Sequence, residues 1–211
     1  MKKSASEKKS QLRQHDQAFL AQGFKSLAGV DEAGRGPLAG PVVASAVIVK
    51  DFSFLSRIDD SKKMSPIARN AAYEEILEKC LIGIGIVEPE KIDTLNIFQA
   101  TMQAMRAAVM KLKQAPDCIL VDGPYHPEMN FRQFAIVNGD ALSFSIACAS
   151  VVAKVTRDRM MDYYDDLFPV YGFRKHKGYG TKEHMLALKK NGPCRIHRKS
   201  FEPVRSLWKL S

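Results

Sequence analysis

The stretch Leu27-Ala28-Gly29-Val30-Asp31-Glu32-Ala33-Gly34-Arg35-Gly36-Pro37, followed by Val42-Val43-Ala44-Ser45-Ala46-Val47-Ile48-Val49, decides how the chain is read. Small and β-branched apolar runs at Leu27 to Val30 and Val42 to Val49 are strand-like, and the Gly/Pro-rich segment between them is a tight connection. An Asp-Glu pair directly after the first strand is unusual, because strands disfavour acids and adjacent like charges repel. A bound divalent cation would compensate the pair, and a solvated turn would explain it as well. Gly34 and Gly36 remove side chains on both sides of Arg35, so the backbone there can bring N–H groups close to a ligand. Glycines also mark ordinary turns.

Working outward, Gln11 to Gln22 reads as a helix ending at Gly23. Ser65-Pro66 reads as an N-cap with proline at the first helical position, opening a helix through Lys79. Leu81 to Val87 is a third strand. From Leu95 to Gln114 the apolar residues Phe98, Met102, Met105, Val109 and Leu112 recur at helical spacing, and Pro116 ends the pattern. Cys118 to Val121 is a short apolar strand fit for the centre of a sheet, and Phe134 to Val137 is a fifth. Ser143 to Asp166 forms a long helix, and Thr181 to Asn191 a further one that Gly192-Pro193 terminates. The expected fold is α/β, with a central mixed five-stranded sheet flanked by helices and a helical C-terminal part. The 211 residues, 45% of them hydrophobic, suit one core. We expect a basic N-terminal arm or helix over residues 1–24 and one catalytic domain over 25–211, with a basic C-terminal helical segment.

No apolar run approaches the roughly 18 to 20 residues of a membrane span. The Lys/Ser-rich start, Met1 to Ser10, has no apolar stretch behind it, so no secretory signal is read and a cytoplasmic location is expected. Cys80, Cys118, Cys148 and Cys194 lie far apart, which argues against a zinc site or a disulfide scaffold. The net charge of +9 is uneven: residues 1–25 carry +4, residues 172–211 carry +9, and the 146 residues between them carry −4. Basic ends beside an acidic body suit a phosphate-binding surface around a carboxylate metal site.

Asp122 ends the buried strand, where Gly123-Pro124 turns the chain away, and strand ends are where open α/β sheets bind ligands. A turn or capping acid is the equally simple alternative. Asp140 follows Asn138-Gly139 and precedes the long helix, so on spacing alone it reads first as an N-cap. Taken together, Asp31, Glu32, Asp122 and Asp140 come from three segments that can converge at one sheet edge. Such a group suits Mg²⁺ or Mn²⁺. Two ions about 4 Å apart can activate water on one side of a phosphate and stabilise the leaving oxygen on the other, which is a nuclease design. The competing reading is a non-catalytic nucleic-acid-binding module.

The chain resembles the ribonuclease HII family, the type 2 ribonucleases H of bacteria, from about Leu27 to Val204. The resemblance runs through Gly29-Val30-Asp31-Glu32-Ala33-Gly34-Arg35-Gly36, Asp60-Ser61-Lys62, Val121-Asp122-Gly123 and Ala149-Ser150-Val151-Val152-Ala153-Lys154-Val155-Thr156-Arg157-Asp158. It continues through His176-Lys177-Gly178-Tyr179-Gly180-Thr181 and His197-Arg198-Lys199-Ser200-Phe201. It implies a ribonuclease H-like fold, cleavage of RNA in RNA–DNA hybrids and incision 5′ of single ribonucleotides in duplex DNA, leaving 5′-phosphate and 3′-hydroxyl ends. It carries Asp31, Glu32, Asp122 and Asp140 over as metal ligands, Gly34-Arg35-Gly36 as the reader of the 2′-hydroxyl, and Tyr179 as the ring that stacks on the following deoxyribose. The 2′-OH is the group that separates RNA from DNA at a given position. Lys62 and the basic C-terminal stretch are expected to hold the duplex backbone, and the protein to act as a monomer in DNA replication and repair. Arg35 and the short N-terminus favour type 2 over type 3.

Asn138 and Cys148 stand where the family usually has glycine and alanine. Asparagine accepts left-handed geometry, and a small buried thiol should fit. His176, His184 and His197 are expected on the basic face, holding phosphates. Met102, Met105 and Met110 read as core or gap-fillers. Asp158, Asp162, Asp165 and Asp166 read as solvated or paired with Arg157 and Arg159.

Overall fold

The structure, a computed structural model, describes residues 5–208. The first four residues of the expected basic arm, and residues 209–211, lie outside the described residues. Five strands, β1 (Leu27–Ala33), β2 (Val42–Val49), β3 (Cys80–Val87), β4 (Cys118–Asp122) and β5 (Arg132–Ile136), form one sheet in the order β3-β2-β1-β4-β5. β1 pairs antiparallel with β2, and β2 with β3, whereas β4 runs parallel to both β1 and β5. The sheet is therefore mixed, as the alternation of short apolar runs with helices suggests.

Among the described residues eight α-helices accompany it: α1 (Ala5–Leu20), α2 (Pro66–Lys79), α3 (Pro89–Leu95), α4 (Ile97–Met110), α5 (Phe144–Leu167), α6 (Phe173–His176), α7 (Lys182–Asn191) and α8 (Val204–Trp208). α5 and α2 cover one face of the sheet around Val47, Ile76, Phe144 and Val152, and α4 covers the other around Val30, Ala44, Met105 and Val121. A third cluster, including Met161, Phe173, Leu188, Ile196 and Val204, joins the end of α5 to the C-terminal helices. α1 is tied to the N-terminus of α5 by buried Asp16, whose carboxylate accepts from Ser143 Oγ at 2.6 Å and from the Ser145 N–H at 2.8 Å.

Several sequence boundaries move. β1 runs on to Ala33, so Asp31 and Glu32 lie within its last turn of pleat rather than after it, because β2 continues to pair with them, Asp31 opposite Ser45 and Glu32 opposite Ala44. The helix expected over Leu95 to Gln114 is α4, which begins at Ile97, and a separate helix not expected from the sequence, α3, precedes it. Asn96, at φ 70°, ends α3 through its N–H on Ile92 O and begins α4 by accepting from the Gln99 N–H. α4 stops at Met110, and Met110 is exposed rather than core. β5 is Arg132–Ile136, earlier than read. The short helices α3, α6 and α8 carry too few residues for their periodicity to show.

The approach of α5 to the sheet is set at Gly29. A Cβ added there would lie 2.1 Å from Ser145 C and 2.3 Å from Ile146 N, backbone atoms that no rotamer change can move. Ser45 Oγ donates to Ala149 O at 2.8 Å one turn further along the same contact. We therefore expect Gly29→Ala to destabilise the protein by at least about 3 kcal/mol, at the upper end of overpacking costs. Thermal melts should show this as a drop in Tm of roughly 6–12 °C.

Candidate active site

The last residue pair between parallel β1 and β4 is Val30 with Val121, and the next residue on each strand is an aspartate. Side chains alternate across a strand, so Asp31 shares its face with Leu27 and Gly29, and Asp122 shares its face with Cys118 and Leu120. That face is the one α5 covers, since Leu27, Cys118 and Leu120 pack with Ile146. Glu32, one residue on, leaves toward the other face.

Asp140 arrives on a turn. Asn138 takes the left-handed conformation, φ 57° and ψ 38°, and opens a single 3₁₀ turn, Gly139–Ala141. Asp122 Oδ1 accepts from the N–H of Gly139 at 2.6 Å and of Asp140 at 3.4 Å, which draws the turn onto the end of β4. The N-cap of α5 is Ser143, accepting from the Ile146 N–H, so the capping role that spacing offers to Asp140 belongs to Ser143. The carboxylate of Asp140 is thereby left for the cluster: one oxygen each from Asp31, Asp122 and Asp140 lies within 4.8 Å of the others.

The electrostatics follow from this convergence. Burial, and then the charges of Glu32 and Asp122, raise the Asp31 carboxyl well above its ordinary range, against opposing hydrogen bonds from Ser150 and the Glu32 N–H. Burial, and then Asp122 and Asp60, raise Asp140. Burial also raises Glu32, with Arg35 opposing it from 3.3 Å. Desolvation alone would pull the pKa of Lys62 down, but Asp31, Asp140, Asp60 and Asp122 together raise it. Three carboxylates and no nitrogen or sulfur ligand form a hard, all-oxygen donor set that suits Mg²⁺ or Mn²⁺. Among the described residues no other such group of acids, histidines and cysteines occurs.

Beside the cluster opens a cleft of about 380 Å³, and Glu32, Gly34, Arg35, Gly36, Lys62 and Tyr179 all line it. The structure thus gathers every residue singled out for substrate around one cavity, with Glu32 the carboxylate that faces into it. The two glycines are present for different reasons. Gly34, at φ +97°, has no room for a side chain, since a Cβ would lie 2.0 Å from Arg157 Nε. At Gly36 the nearest atom to an added Cβ is Tyr179 Cε1, at an ordinary 3.6 Å. Packing explains the first glycine and leaves the second free for a ligand to approach.

Ser61, Ser150 and Lys154, given no individual role from the sequence, and Arg157, read only as an ion-pair partner, line the same cleft. Ser61 and Ser150 are hydrogen-bonded Oγ to Oγ at 2.9 Å, bridging the Asp60-Ser61-Lys62 loop to α5. Other expectations are corrected. His176, His184 and His197 are buried rather than on a phosphate-binding face. His176 and His184 stack at 4.5 Å, and His184 Nε2 lies 3.0 Å from His197 Nε2. Burial lowers the pKa of both His184 and His197 to about 4, so they are neutral at physiological pH. Asp158 pairs with Lys154 at 2.7 Å and Arg69 at 3.7 Å, not with Arg157 or Arg159. Asp162 pairs with Lys177, and Asp165 and Asp166 pair with Arg174. Arg159 pairs with Glu74. The basic C-terminal stretch is in part neutralised by these pairs. The four cysteines are free, and Cys148 is buried.

Residues 28–204 match the family model described as Ribonuclease HII. The chain is 55% identical over 186 residues, 88% of its length and 80% of the relative's, to a ribonuclease HII of Syntrophobacter fumaroxidans. To that of Bacillus subtilis it is 49% identical over 212 residues, covering 98% of this chain and 83% of the relative. Among solved structures, the ribonuclease H2 of Pyrococcus horikoshii superposes with a TM-score of 0.74 at 24% identity, over 88% of this chain and 98% of that one. With this match of sequence and fold around an aspartate cluster, the chain belongs to the ribonuclease HII family, and it is a metal-dependent ribonuclease of the ribonuclease H type with that family's mixed-sheet fold.

Proposed function

We propose that the protein hydrolyses the RNA strand of RNA–DNA hybrids and also incises duplex DNA on the 5′ side of an embedded ribonucleotide, leaving 5′-phosphate and 3′-hydroxyl ends. The observation that carries this reading is the adjacency of the Asp31, Asp122 and Asp140 oxygens to a cleft bordered by Gly34-Arg35-Gly36, Lys62 and Tyr179. Two divalent cations, Mg²⁺ or Mn²⁺, would supply charge neutralisation at the scissile phosphate and an activated water. Asp31, Asp122 and Asp140 hold them, with Glu32 completing the set from the cleft side. Lys62, whose charge lies among four acids, holds a backbone phosphate next to the cluster. Gly36 exposes its backbone to the ribose 2′-OH, and Tyr179, 45% exposed, offers its ring to the adjoining sugar. The enzyme acts as a monomer in the cytoplasm, removing RNA during DNA replication and repair. Its hold on the duplex depends on phosphate contacts and weakens steeply with salt.

The direct test is incubation with Mg²⁺ and a labelled DNA duplex holding one ribonucleotide, beside an RNA–DNA hybrid and an all-DNA duplex. The first two should be cut and the third left whole; cutting of the all-DNA duplex would remove the 2′-OH from the reading. Asp31→Asn and Asp122→Asn should lose cleavage and keep duplex binding, since the phosphate contacts remain.

Asp122→Asn has a second, less intuitive consequence. Asn retains an Oδ1 to accept from the Gly139 N–H but removes a charge that repels Asp31 and Asp140. At an effective dielectric constant of 20, two charges 4 Å apart repel by about 4 kcal/mol, so relief of even a quarter of this is measurable. Without divalent ions the variant should melt about 2–4 °C above the unsubstituted protein. With millimolar Mn²⁺ the order should reverse, because the ion stabilises only the protein that binds it.

Gly36→Ala separates recognition from folding. With room for the methyl in the unliganded cleft, Tm should change by no more than about 2 °C. Incision at a single ribonucleotide should fall about 10- to 100-fold, because a displacement on the order of 1 Å costs that much. A fully active Gly36→Ala protein would exclude close approach of the sugar there.

A further inference from the structure

Arg157 and Arg198 are 1% and 0% exposed, and among the described residues neither makes an ion pair with an acid. A buried cation without a carboxylate is costly unless dipoles satisfy it. Here backbone carbonyls do so. Arg157 donates through Nε to Pro41 O at 2.9 Å, through Nη1 to Lys177 O at 2.9 Å and through Nη2 to Ala39 O at 3.1 Å. Arg198 donates through Nε to Gly40 O at 2.9 Å, through Nη1 to Arg35 O at 2.9 Å, and through Nη2 to Gly34 O at 2.5 Å and Pro41 O at 3.2 Å. The carbonyls of Gly34, Arg35, Ala39, Gly40 and Pro41 are thus gathered inward onto two guanidiniums. Arg157 also reaches Lys177, two residues before Tyr179. The Leu38 N–H donates to Gly178 O at 2.8 Å alongside it. Gly34 is glycine because the Arg157 side chain occupies the space of its Cβ.

We propose that Arg157 and Arg198 are positioning residues for ribonucleotide recognition. They hold the Gly34–Pro41 loop and the Tyr179 turn at a fixed separation, so that the gap between Gly36 and the Tyr179 ring is set by buried carbonyl–guanidinium bonds and not by contacts of either arginine with substrate. This rests on the reading of that gap as the ribose slot. Arginine suits the task because its rigid planar fork addresses several carbonyls at once, whereas lysine offers a single flexible point charge.

The test compares Arg157→Lys and Arg198→Lys with the unsubstituted protein on the single-ribonucleotide duplex. Each variant keeps the charge and loses the fork. Both should retain a cooperative melt and the Mn²⁺-induced rise in Tm, since Asp31, Asp122 and Asp140 are untouched. The kcat should fall about 10- to 100-fold with little change in KM, the signature of misplacement rather than lost binding. Combined with Tyr179→Ala, the Arg157→Lys loss should fall short of the product of the two single losses by about 5-fold or more, since both act on one gap. Unchanged kcat, multiplicative losses, or a loss confined to KM with a shallower salt dependence would each overturn the proposal, the last by making the arginines phosphate contacts.

Should the lysine variants fail to fold, hydrogen exchange on the unsubstituted protein decides. The amides of Leu38, Gly40 and Tyr179 should exchange as slowly as that of Val152 inside α5, and exchange as independent fast loops would sink the latch. If the unsubstituted protein does not cut the ribonucleotide duplex, the functional reading fails by itself, and the exchange data still judge whether the two segments are locked together.

Discussion

Parallel pairing of β1 with β4 as far as Val30 and Val121 leaves Asp31 and Asp122 on adjacent strands at strand spacing, about 4.8 Å, with no freedom to separate short of breaking the sheet. Their repulsion, with that of Asp140, is built into the covalent order of the chain and opposed by its packing. The apolar residues before them, Ala28 to Val30 and Ile119 to Val121, are wholly buried between α4 and α5. Gly29 lets α5 sit on the strand backbone, and the start of α5 fixes the turn that delivers Asp140. The core holds three like charges together more strongly than they push apart, and the misfit that remains is an affinity for cations.

Around this anionic point the molecule arranges positive charge in two distinct ways. Lys62 stands among the acids, where its charge offsets theirs directly. Arg157 and Arg198 make no ion pair among the described residues and are bonded to carbonyls, so their charges are spent on backbone geometry. If the cleft takes nucleic acid as proposed, the strand carries its own negative charge past the aspartates. It can do so where a cation neutralises the cluster and fixed positive charge lies a few residues to the side. The overall charge of +9 sets the general attraction, and these placements decide where along the surface it is used.

What could be read beforehand divides along the same lines. The first four strands were legible because each is a short β-branched or small apolar run, and Val42–Val49 came out with its observed limits, whereas β5 opens on Arg132 and Gln133 and its start escaped the reading. Asp31 and Asp122 stood out because acids at the ends of buried strands need a reason. Asp140 was ambiguous, since distance along the chain from an N-terminal helix turn cannot distinguish it from Ser143, and only the bonds from Gly139 and Asp140 to Asp122 resolve the choice. The histidines and the two arginines were misjudged or passed over for a common reason. A polar residue among basic neighbours looks exposed, and its burial depends on contacts that only the tertiary fold makes: Arg157 meets Pro41, more than a hundred residues away, and His184 meets His197 beyond the end of α7. Asn96 shows the local version of this limit: its positive φ of 70° ends α3 and starts α4, a junction that the apolar period beginning at Phe98 does not mark.

The buried histidines solve the same positioning problem with neutral groups. The Cys194 N–H donates to His197 Nδ1 at 3.0 Å, which leaves the proton of that ring on Nε2, facing His184 Nε2. His184 must then carry its proton on Nδ1, where it donates to the Tyr179 carbonyl at 2.9 Å. Each ring has one donor and one acceptor, and the chain of three bonds can be satisfied only if both rings are neutral. Burial guarantees that by pulling both pKa values to about 4. A carbonyl next to the cleft is thus gripped through groups that would titrate near neutrality if exposed, while Arg157, charged at any physiological pH, grips the carbonyl two residues earlier. The backbone carbonyls of Tyr179 and Lys177 are thus held by groups whose protonation does not change near neutral pH, while the Tyr179 ring stays partly exposed beside Gly36 in the cleft.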